Sequence, residues 1–462
     1  MTGKALVCKL GTHQDIEGAD KIVQVDMFGE TIITQKTNEE GTVGLLFDCE
    51  TQLSEVYAGS NNMYRHRNLN YDKSITGYMN YNARVKPIKL KGVKCSALFI
   101  PLNSLLNLNI KLSNLNIGEE FDTIEGITIC KKYVSPETTK AMSNKQGKVK
   151  KNLTATFKEH FDTDQWGRNK HKVKSNDLII ITEKLHGTSA RCGYLPVTYK
   201  LTWWQNFWHG IAALFGYGIF DFKNPDNLTD YKFVVGSRRV VKSIDGNEAE
   251  NKEHFYNHDL WTEVSKNHFK GKLNKGETIY FEILGYDLEG SPIMGTHSND
   301  KLKNFMNKNE FKKFKDKYGD NTVFHYGCGN KEQAIYVYRI SNTNEDGETY
   351  DLSWEQLKVR CERLGVKHVP ELEVTIVYNY KGVGDSVLDM IGTNYGEDID
   401  KAVIRHSEED SKEFPGHIRE GVCIRIENGT PTPLVLKNKA FIFKALESII
   451  KDKDILNIEE SN

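Results

Sequence analysis

The chain has 462 residues, of which 27% are charged, with 62 Lys and Arg against 63 Asp and Glu and a net charge of −1. Its mean hydropathy is −0.55. This length predicts two or three domains with ordinary soluble cores, and the balanced charge gives no overall basic signature of a nucleic-acid binder. Cys8, Cys49, Cys95, Cys130, Cys192, Cys328, Cys361 and Cys423 are far apart and form no CxxC pair, which argues against a structural zinc site or a disulfide framework and fits a reducing cytosol.

Residues 1–130 read as β-rich. Short runs such as Ile22–Met27, Glu30–Thr34, Thr42–Phe47, Val85–Leu90 and Ala97–Leu102 are punctuated by Gly and Asn, as at Phe28-Gly29. That pattern predicts a small closed barrel of OB type. No long apolar stretch at the amino terminus suggests a secretory signal. Residues 131–175 shift to Lys, Asn, Thr and Gln and read as a basic linker, with twelve Lys/Arg against four Asp/Glu between Lys131 and Lys174.

From residue 176 the pattern changes. Ile179-Ile180-Ile181-Thr182 predicts a buried strand ending at Glu183-Lys184-Leu185-His186-Gly187. A lysine at the mouth of such a strand sits beside a low-dielectric wall, where desolvation lowers its pKa and frees its lone pair for attack. Gly187 is expected to let a ligand approach the backbone. The aromatic stretch 201–222, with Trp203, Trp204 and Trp208, is expected to pack on this domain as an insertion rather than cross a membrane, because Gln205, Asn206 and His209 interrupt it.

Further strands follow, each carrying charge in an apolar run. Phe233–Gly236 leads into Ser237-Arg238, Thr278–Gly285 contains Glu282, and Ala334–Ile340 carries Tyr336 and Tyr338. Ser353–Leu364 reads as a Ser-capped helix, and a basic run from Lys301 to Lys317 as a solvated helix face or a phosphate-tracking surface. Ile418–Arg425 places Glu420 beside Gly421, Leu434–Phe441 places Lys437 and Lys439 on one side of a strand, and a helix is predicted from Phe441 to Ile450.

A lone strand glutamate is ordinarily a salt-bridged edge residue, and an alternating lysine pair ordinarily faces water. Five such strands in one domain are harder to explain that way, because unpaired buried charges are costly. Together they offer a nucleophilic lysine, cations for phosphates, carboxylates for a hard divalent metal and an aromatic face for a purine.

Those residues resemble, in order, the motifs of the covalent nucleotidyltransferases, and most closely the RNA ligases. Glu183 to Thr188 resembles motif I, Ser237-Arg238 motif Ia, Tyr280–Gly285 motif III, Tyr336–Ile340 motif IIIa, Glu420-Gly421 motif IV and Lys437-Asn438-Lys439 motif V. The amino-terminal region, with Gly18–Lys21 and Lys89–Val93, is similar to the OB-like module of a branch that carries it ahead of the catalytic domain. The resemblance implies an α+β protein. An N-terminal OB-type β-barrel at 1–130 and the linker at 131–175 precede a nucleotidyltransferase domain of antiparallel sheets flanked by helices at 176–445, and a tail at 446–462 follows.

It also implies an ATP-dependent enzyme that joins RNA 3′-OH and 5′-phosphate ends, nicked duplexes included, through lysyl-AMP and RNA-adenylate, in RNA repair. Lys184 is the expected nucleophile, with Glu420, Lys437 and Lys439 as catalytic partners and Glu420 as the candidate ligand for Mg2+ or Mn2+. Glu183, His186, Gly187, Arg238, Glu282 and Tyr338 are expected to bind ATP, Tyr338 by stacking on adenine ahead of Tyr336. His186 stands where many relatives carry Asp and matches the pattern of double-strand-type phage RNA ligases. A cytoplasmic monomer (in host cytoplasm if viral), without an obligate protein partner or a membrane, completes the expectation. The alternatives are a DNA ligase or capping guanylyltransferase, which place their OB domain after the catalytic one, and a non-catalytic RNA-binding OB protein. Removing residues 1–130 is expected to weaken sealing and spare self-adenylylation.

Overall fold

The structure, a computed structural model, describes residues 3–134, 156–200, 227–245, 247–248, 256, 258–379, 391–392 and 398–452. The aromatic stretch 201–222, the linker portion 135–155 and the tail beyond 452 lie outside the described residues.

The architecture is α+β, with antiparallel sheets and flanking helices. The front region, 5–132, holds a four-stranded sheet in the order Glu120–Phe121, Ala5–Lys9, Val43–Asp48, Ala97–Pro101, and a three-stranded sheet of Gln14–Asp15, Ile22–Met27 and Glu30–Gln35. The predicted strands form close to where they were expected, except that Val85–Leu90 shortens to Ile88–Leu90. Among the described residues these two sheets share no strand, and no closed barrel is found.

The larger region is built from two sheets. An eight-stranded sheet runs Asn247–Glu248, Val241–Ile244, Asn227–Ser237, Thr188–Lys200, Glu277–Gly285, Gln333–Thr343, Thr349–Asp351, with Lys367–His368 parallel to Gln333–Thr343. A five-stranded sheet runs Asp164–Gln165, Leu434–Lys439, Gly421–Glu427, Leu178–Lys184, Glu371–Ile376. Leu178–Lys184 is central in it, which explains its unbroken β-branched run: a strand covered on both faces has no need to alternate. Ile180 joins the core shared with the eight-stranded sheet, whereas Ile179 and Ile181 pack with Ile399 and Val403 of the Ile399–Glu408 helix. Side chains alternate along a strand, so Thr182 and Lys184 follow Ile180 onto the face that looks at the larger sheet.

Ser353 caps the Trp354–Leu364 helix in a capping box completed by Gln356. The predicted carboxy-terminal helix forms as Phe441–Asp452. Among the described residues no helix is long and apolar enough to cross a membrane.

Residues 156–175 do not span open solvent. Asp164–Gln165 pairs in parallel with Leu436 and Lys437, and Phe157, Trp166 and Val173 are buried. This segment also carries the front region. Arg168 donates to the Lys4 carbonyl at 3.2 Å and to Glu120 at 3.1 Å, and lies 3.6 Å from Asp48. At Gly167 the backbone abuts Phe28, where a Cβ would stand 1.6 Å from the carbonyl oxygen. Lys444 of the last helix pairs with Glu30 at 2.6 Å, both nearly buried.

Candidate active site

The ladder registers place the motif residues. Lys184 pairs with Gly421, and Gly421 pairs with Lys439, so two lysines flank one glycine across three strands. Two residues along, Thr182, Cys423 and Lys437 repeat the row on the same face. Gly421 has φ +153°, and a Cβ on it would lie 2.1 Å from the Asn438 carbonyl oxygen, so only glycine lets the strands close here. The preceding residue, Glu420, then reaches both lysines.

Glu420 is buried, its side chain 1% exposed. Oε1 lies 2.7 Å from Lys184 Nζ and 3.6 Å from Lys439 Nζ, and Oε2 lies 3.4 Å from His186 Nδ1. Burial pushes its pKa up, but Lys184, His186 and Lys439 outweigh that and hold the carboxyl well below the usual range. Lys439 also meets Glu447 at 2.9 Å and Glu50 at 3.3 Å. Lys437 is half-buried, and burial lowers its pKa. Among the described residues no carboxylate lies within ion-pair distance of its ammonium, although the Glu50 charge acts on it, and it lies outside the pocket lining.

Lys184 opens into a pocket between the two sheets. Thr182, Glu183, Ser189, Arg238, Tyr280, Glu282, Tyr338, Arg339, Trp354 and Arg425 line it from the sheets and the helix, and His160, Phe161 and Thr163 line it from the segment before the nucleophile strand. Five of the predicted residues, Glu183, Lys184, Arg238, Glu282 and Tyr338, thus meet in one cavity. Glu282 accepts from the Ser189 hydroxyl at 3.1 Å. Arg238 pairs with Asp162 at 2.7 Å. The Glu183 carboxylate accepts the Lys412 N–H at 2.8 Å, and burial raises its pKa.

Tyr338 and Tyr336 part company. The pairing of Gln333–Thr343 with Glu277–Gly285 skips Tyr338 at a register shift. Tyr338 faces the pocket and bonds His160 Nδ1 at 2.5 Å, while Tyr336 bonds Glu413 and Lys367 elsewhere. Burial, then Arg191, Arg238 and Arg339, drives the His160 pKa far below its ordinary value, so this ring is neutral.

Two predicted residues have other surroundings. His186 sits beside Glu420, edge-on to Phe324 and Phe443, outside the pocket lining. Gly187 makes room for a neighbouring strand rather than a ligand: a Cβ there would stand 2.4 Å from the Ile283 carbonyl oxygen.

Sequence reasoning missed His160, Phe161, Arg339 and Arg425. The two arginines carried the same signal as Glu282, a charge inside an apolar strand. The Arg339 guanidinium is clamped between the Phe161 and Tyr280 rings, at 4.3 and 4.5 Å, and bound bidentately by Asp351. Among the described residues no group of three or more His, Cys, Asp and Glu side chains converges as a metal cage.

The RNA ligase family model matches residues 177–446, more than half of the chain, which includes Lys184, Glu420, Lys437 and Lys439 but not the pocket residues His160, Phe161 and Thr163. The chain belongs to the RNA ligase family. No curated protein matches it in sequence. Among solved structures, it is similar to Naegleria gruberi RNA ligase with pyrophosphate, at 14% identity and a TM-score of 0.54, over 97% of this chain and 98% of that one. It is also similar to variants of that ligase with ATP and Mn, at 14% identity and a TM-score of 0.56 over 95% and 98%, and with AMP and Mn, at 14% and 0.54 over 95% and 97%. These likenesses share the fold along nearly the full chain, front region included.

Proposed function

We propose that this RNA ligase is ATP-dependent and seals RNA 3′-OH and 5′-phosphate ends through a lysyl-adenylate on Lys184 and an RNA-adenylate. One observation carries the reading: the Lys184 amine, 2.7 Å from buried Glu420, stands at the mouth of a pocket that also holds Arg238, Glu282 and Tyr338. Lys184 attacks the α-phosphorus of ATP and pyrophosphate leaves. The RNA 5′-phosphate then takes the adenylate from the lysine, and the 3′-OH displaces AMP. Lys437 and Lys439 balance phosphate charge, with Lys437 the readier because it makes no direct ion pair among the described residues. Tyr338 stacks on adenine, Arg238 and Glu282 hold the ribose or 5′-phosphate, and Glu183 steadies the loop at Lys412.

Glu420 is the candidate ligand for Mg2+ or Mn2+. A single buried carboxylate next to a phosphate site fits such an ion, which commonly takes one or two carboxylates and completes its shell with phosphate oxygens and water. When bound, it would supply charge neutralisation at the phosphates.

The front region, residues 1–130, is read as an OB-type module that holds RNA. Support for an OB arrangement comes from the Ser96 N–H donating to the Thr31 carbonyl at 3.1 Å, which links the edges of the two small sheets, and from a core shared by Leu6, Val25, Ile32, Leu46 and Phe99. The division at 131–175, 176–445 and 446–462, the RNA-repair setting, nicked duplexes as substrate and a monomeric state belong to the same reading. Eight unpaired cysteine thiols support a reducing, cytoplasmic location.

Incubation with α-labelled ATP and Mn2+ is expected to label Lys184 covalently, with no label in Lys184→Ala. Label from GTP alone, or none, rejects the assignment. Sealing of nicks with RNA or DNA on either side of the break then identifies the substrate.

A further inference from the structure

We propose that the front region completes the catalytic centre through Glu50, a positioning residue that holds Lys439 and so leaves Glu420 to Lys184. The inference rests on the ligase reading and deepens it.

Glu50 belongs to none of the motifs and lies 370 positions from Glu420 in sequence, so nothing local marks it. Its place is nevertheless tightly fixed. It sits in the turn between the Val43–Asp48 and Thr51–Leu53 strands. Its N–H donates to Asp48 Oδ1 at 3.1 Å, and its carbonyl accepts the Tyr133 N–H at 2.8 Å. Asp48 Oδ1 also accepts the Thr51 hydroxyl at 2.9 Å. The other Asp48 oxygen faces Arg168, of the segment that leads into the nucleophile strand, at 3.6 Å, so the turn and the docking contact are one structure. The Glu50 residue is 8% exposed, and its carboxylate projects onto Lys439.

Lys439 therefore stands among three carboxylates: Glu447 at 2.9 Å, Glu50 at 3.3 Å and Glu420 at 3.6 Å. The nearer two come from outside the motif strands, one from the last helix and one from the front region. Both lie closer to the ammonium than Glu420 does. Glu420 Oε1 correspondingly makes its short contact, 2.7 Å, with Lys184. If the Glu50 charge is removed, the pull of Glu420 on Lys439 is less opposed. Glu420 is then divided between two ammonium groups, and its hold on the nucleophile slackens. In a buried site, such a redistribution matters far more than the same change at the surface.

This alters the expected part of the front region. A module that only grips RNA would be dispensable for self-adenylylation. A module that supplies Glu50 is not.

The test uses the full chain and single-turnover formation of lysyl-adenylate from labelled ATP and Mn2+. Glu50→Gln is expected to slow the step roughly tenfold at saturating ATP, with the half-saturating ATP concentration moving less than about threefold. Glu50→Asp restores part of the rate. Glu30→Gln, which breaks a different buried pair between the two regions, that with Lys444, and leaves the carboxylates around Lys439 in place, stays within about twofold of the parent. A Glu50→Gln rate within twofold of the parent overturns the proposal, and so does an equal fall in Glu30→Gln, which would mark a general loss of docking. Should Glu50→Gln fail to fold, Glu50→Asp decides alone: a rate equal to the parent's at saturating ATP overturns the positioning role, and a fall confined to the rate at saturation sustains it. A parent chain that forms no adduct rejects the ligase reading itself, which is a different result from an active parent with an indifferent Glu50.

Discussion

Replacing Glu420 by Gln tests the electrostatic heart of the site without any ligase assay. The carboxylate is 1% exposed, 2.7 Å from Lys184 and 3.6 Å from Lys439. Removing one partner of a buried pair leaves uncompensated charge and costs about 3–5 kcal/mol. Here Lys439 keeps Glu447 and Glu50, so the loss falls mainly on Lys184, whose side chain is 18% exposed and can move toward water. The loss is therefore expected near the lower end, about 3 kcal/mol. Lys184→Met leaves Glu420 buried with Lys439 as its remaining close ammonium, and the double variant removes both halves of the pair. Urea denaturation of the four proteins at pH 7 closes the cycle. The double variant is expected to be more stable than the sum of the single losses by about 2 kcal/mol.

The acid limb supplies a check of sign. A carboxyl held below its ordinary pKa stabilises the fold above that value and loses the contribution as pH falls, so the coupling should shrink in acid and Glu420→Gln should flatten that part of the curve. Single losses that add to within about 0.5 kcal/mol at pH 7 would mean the two residues are not a coupled pair, and the argument for a lysine poised by Glu420 would fail.

Two further outcomes follow from the same geometry. Tyr338→Ala should raise the half-saturating ATP concentration for lysine labelling about 5- to 150-fold, the span of about 1–3 kcal/mol for one lost base stack, while Tyr338→Phe and Tyr336→Phe change it little; a larger effect at Tyr336 would move the base to that strand position and refute the stacking on Tyr338. His417 is 1% exposed, and burial, only partly offset by its bond to the Ile418 carbonyl at 3.1 Å, lowers its pKa from 6.5 to about 4. Its neutral form stabilises the fold above pH 6.5, and the contribution, about 3 kcal/mol at most, is lost as pH falls through this window. His417→Gln should therefore lose less stability than the parent between pH 7 and pH 4.5 in urea titrations, and parallel losses in the two proteins would contradict it.

What could be read in the sequence was whatever a strand concentrates within a few residues. The Ile179–Ile181 run signals a two-sided core, and a charge at its end signals a cleft. Period-two alternation puts Lys437 and Lys439 on one side, and Gly421 next to Glu420 marks a place where strands crowd. Thr182, Lys184, Lys437 and Lys439 do share one face in the observed ladders. What could not be read depends on contacts between distant parts of the chain. His160 and Phe161 lie in a stretch whose composition resembles a linker, yet their rings line the pocket, because Phe157 anchors the stretch on Leu195, Val197 and Val234 of the larger sheet and Trp166 anchors it on Ile179 and Ile181 of the smaller one. The charge on Arg339 was visible, but its clamp needs Phe161 from before the nucleophile strand and Asp351 from the strand beyond.

Glu50 is the extreme case. A glutamate in a tight turn has a sufficient local explanation, and only the docking of Gly167 on Phe28 and of Arg168 on Asp48 turns it toward Lys439. Docking of this kind fixes position through close backbone approach and buried ion pairs, both sensitive to single substitutions. The motifs therefore specify the chemistry of the site, while the relative placement of Glu420, Lys184 and Lys439 is shared with a region that carries none of them.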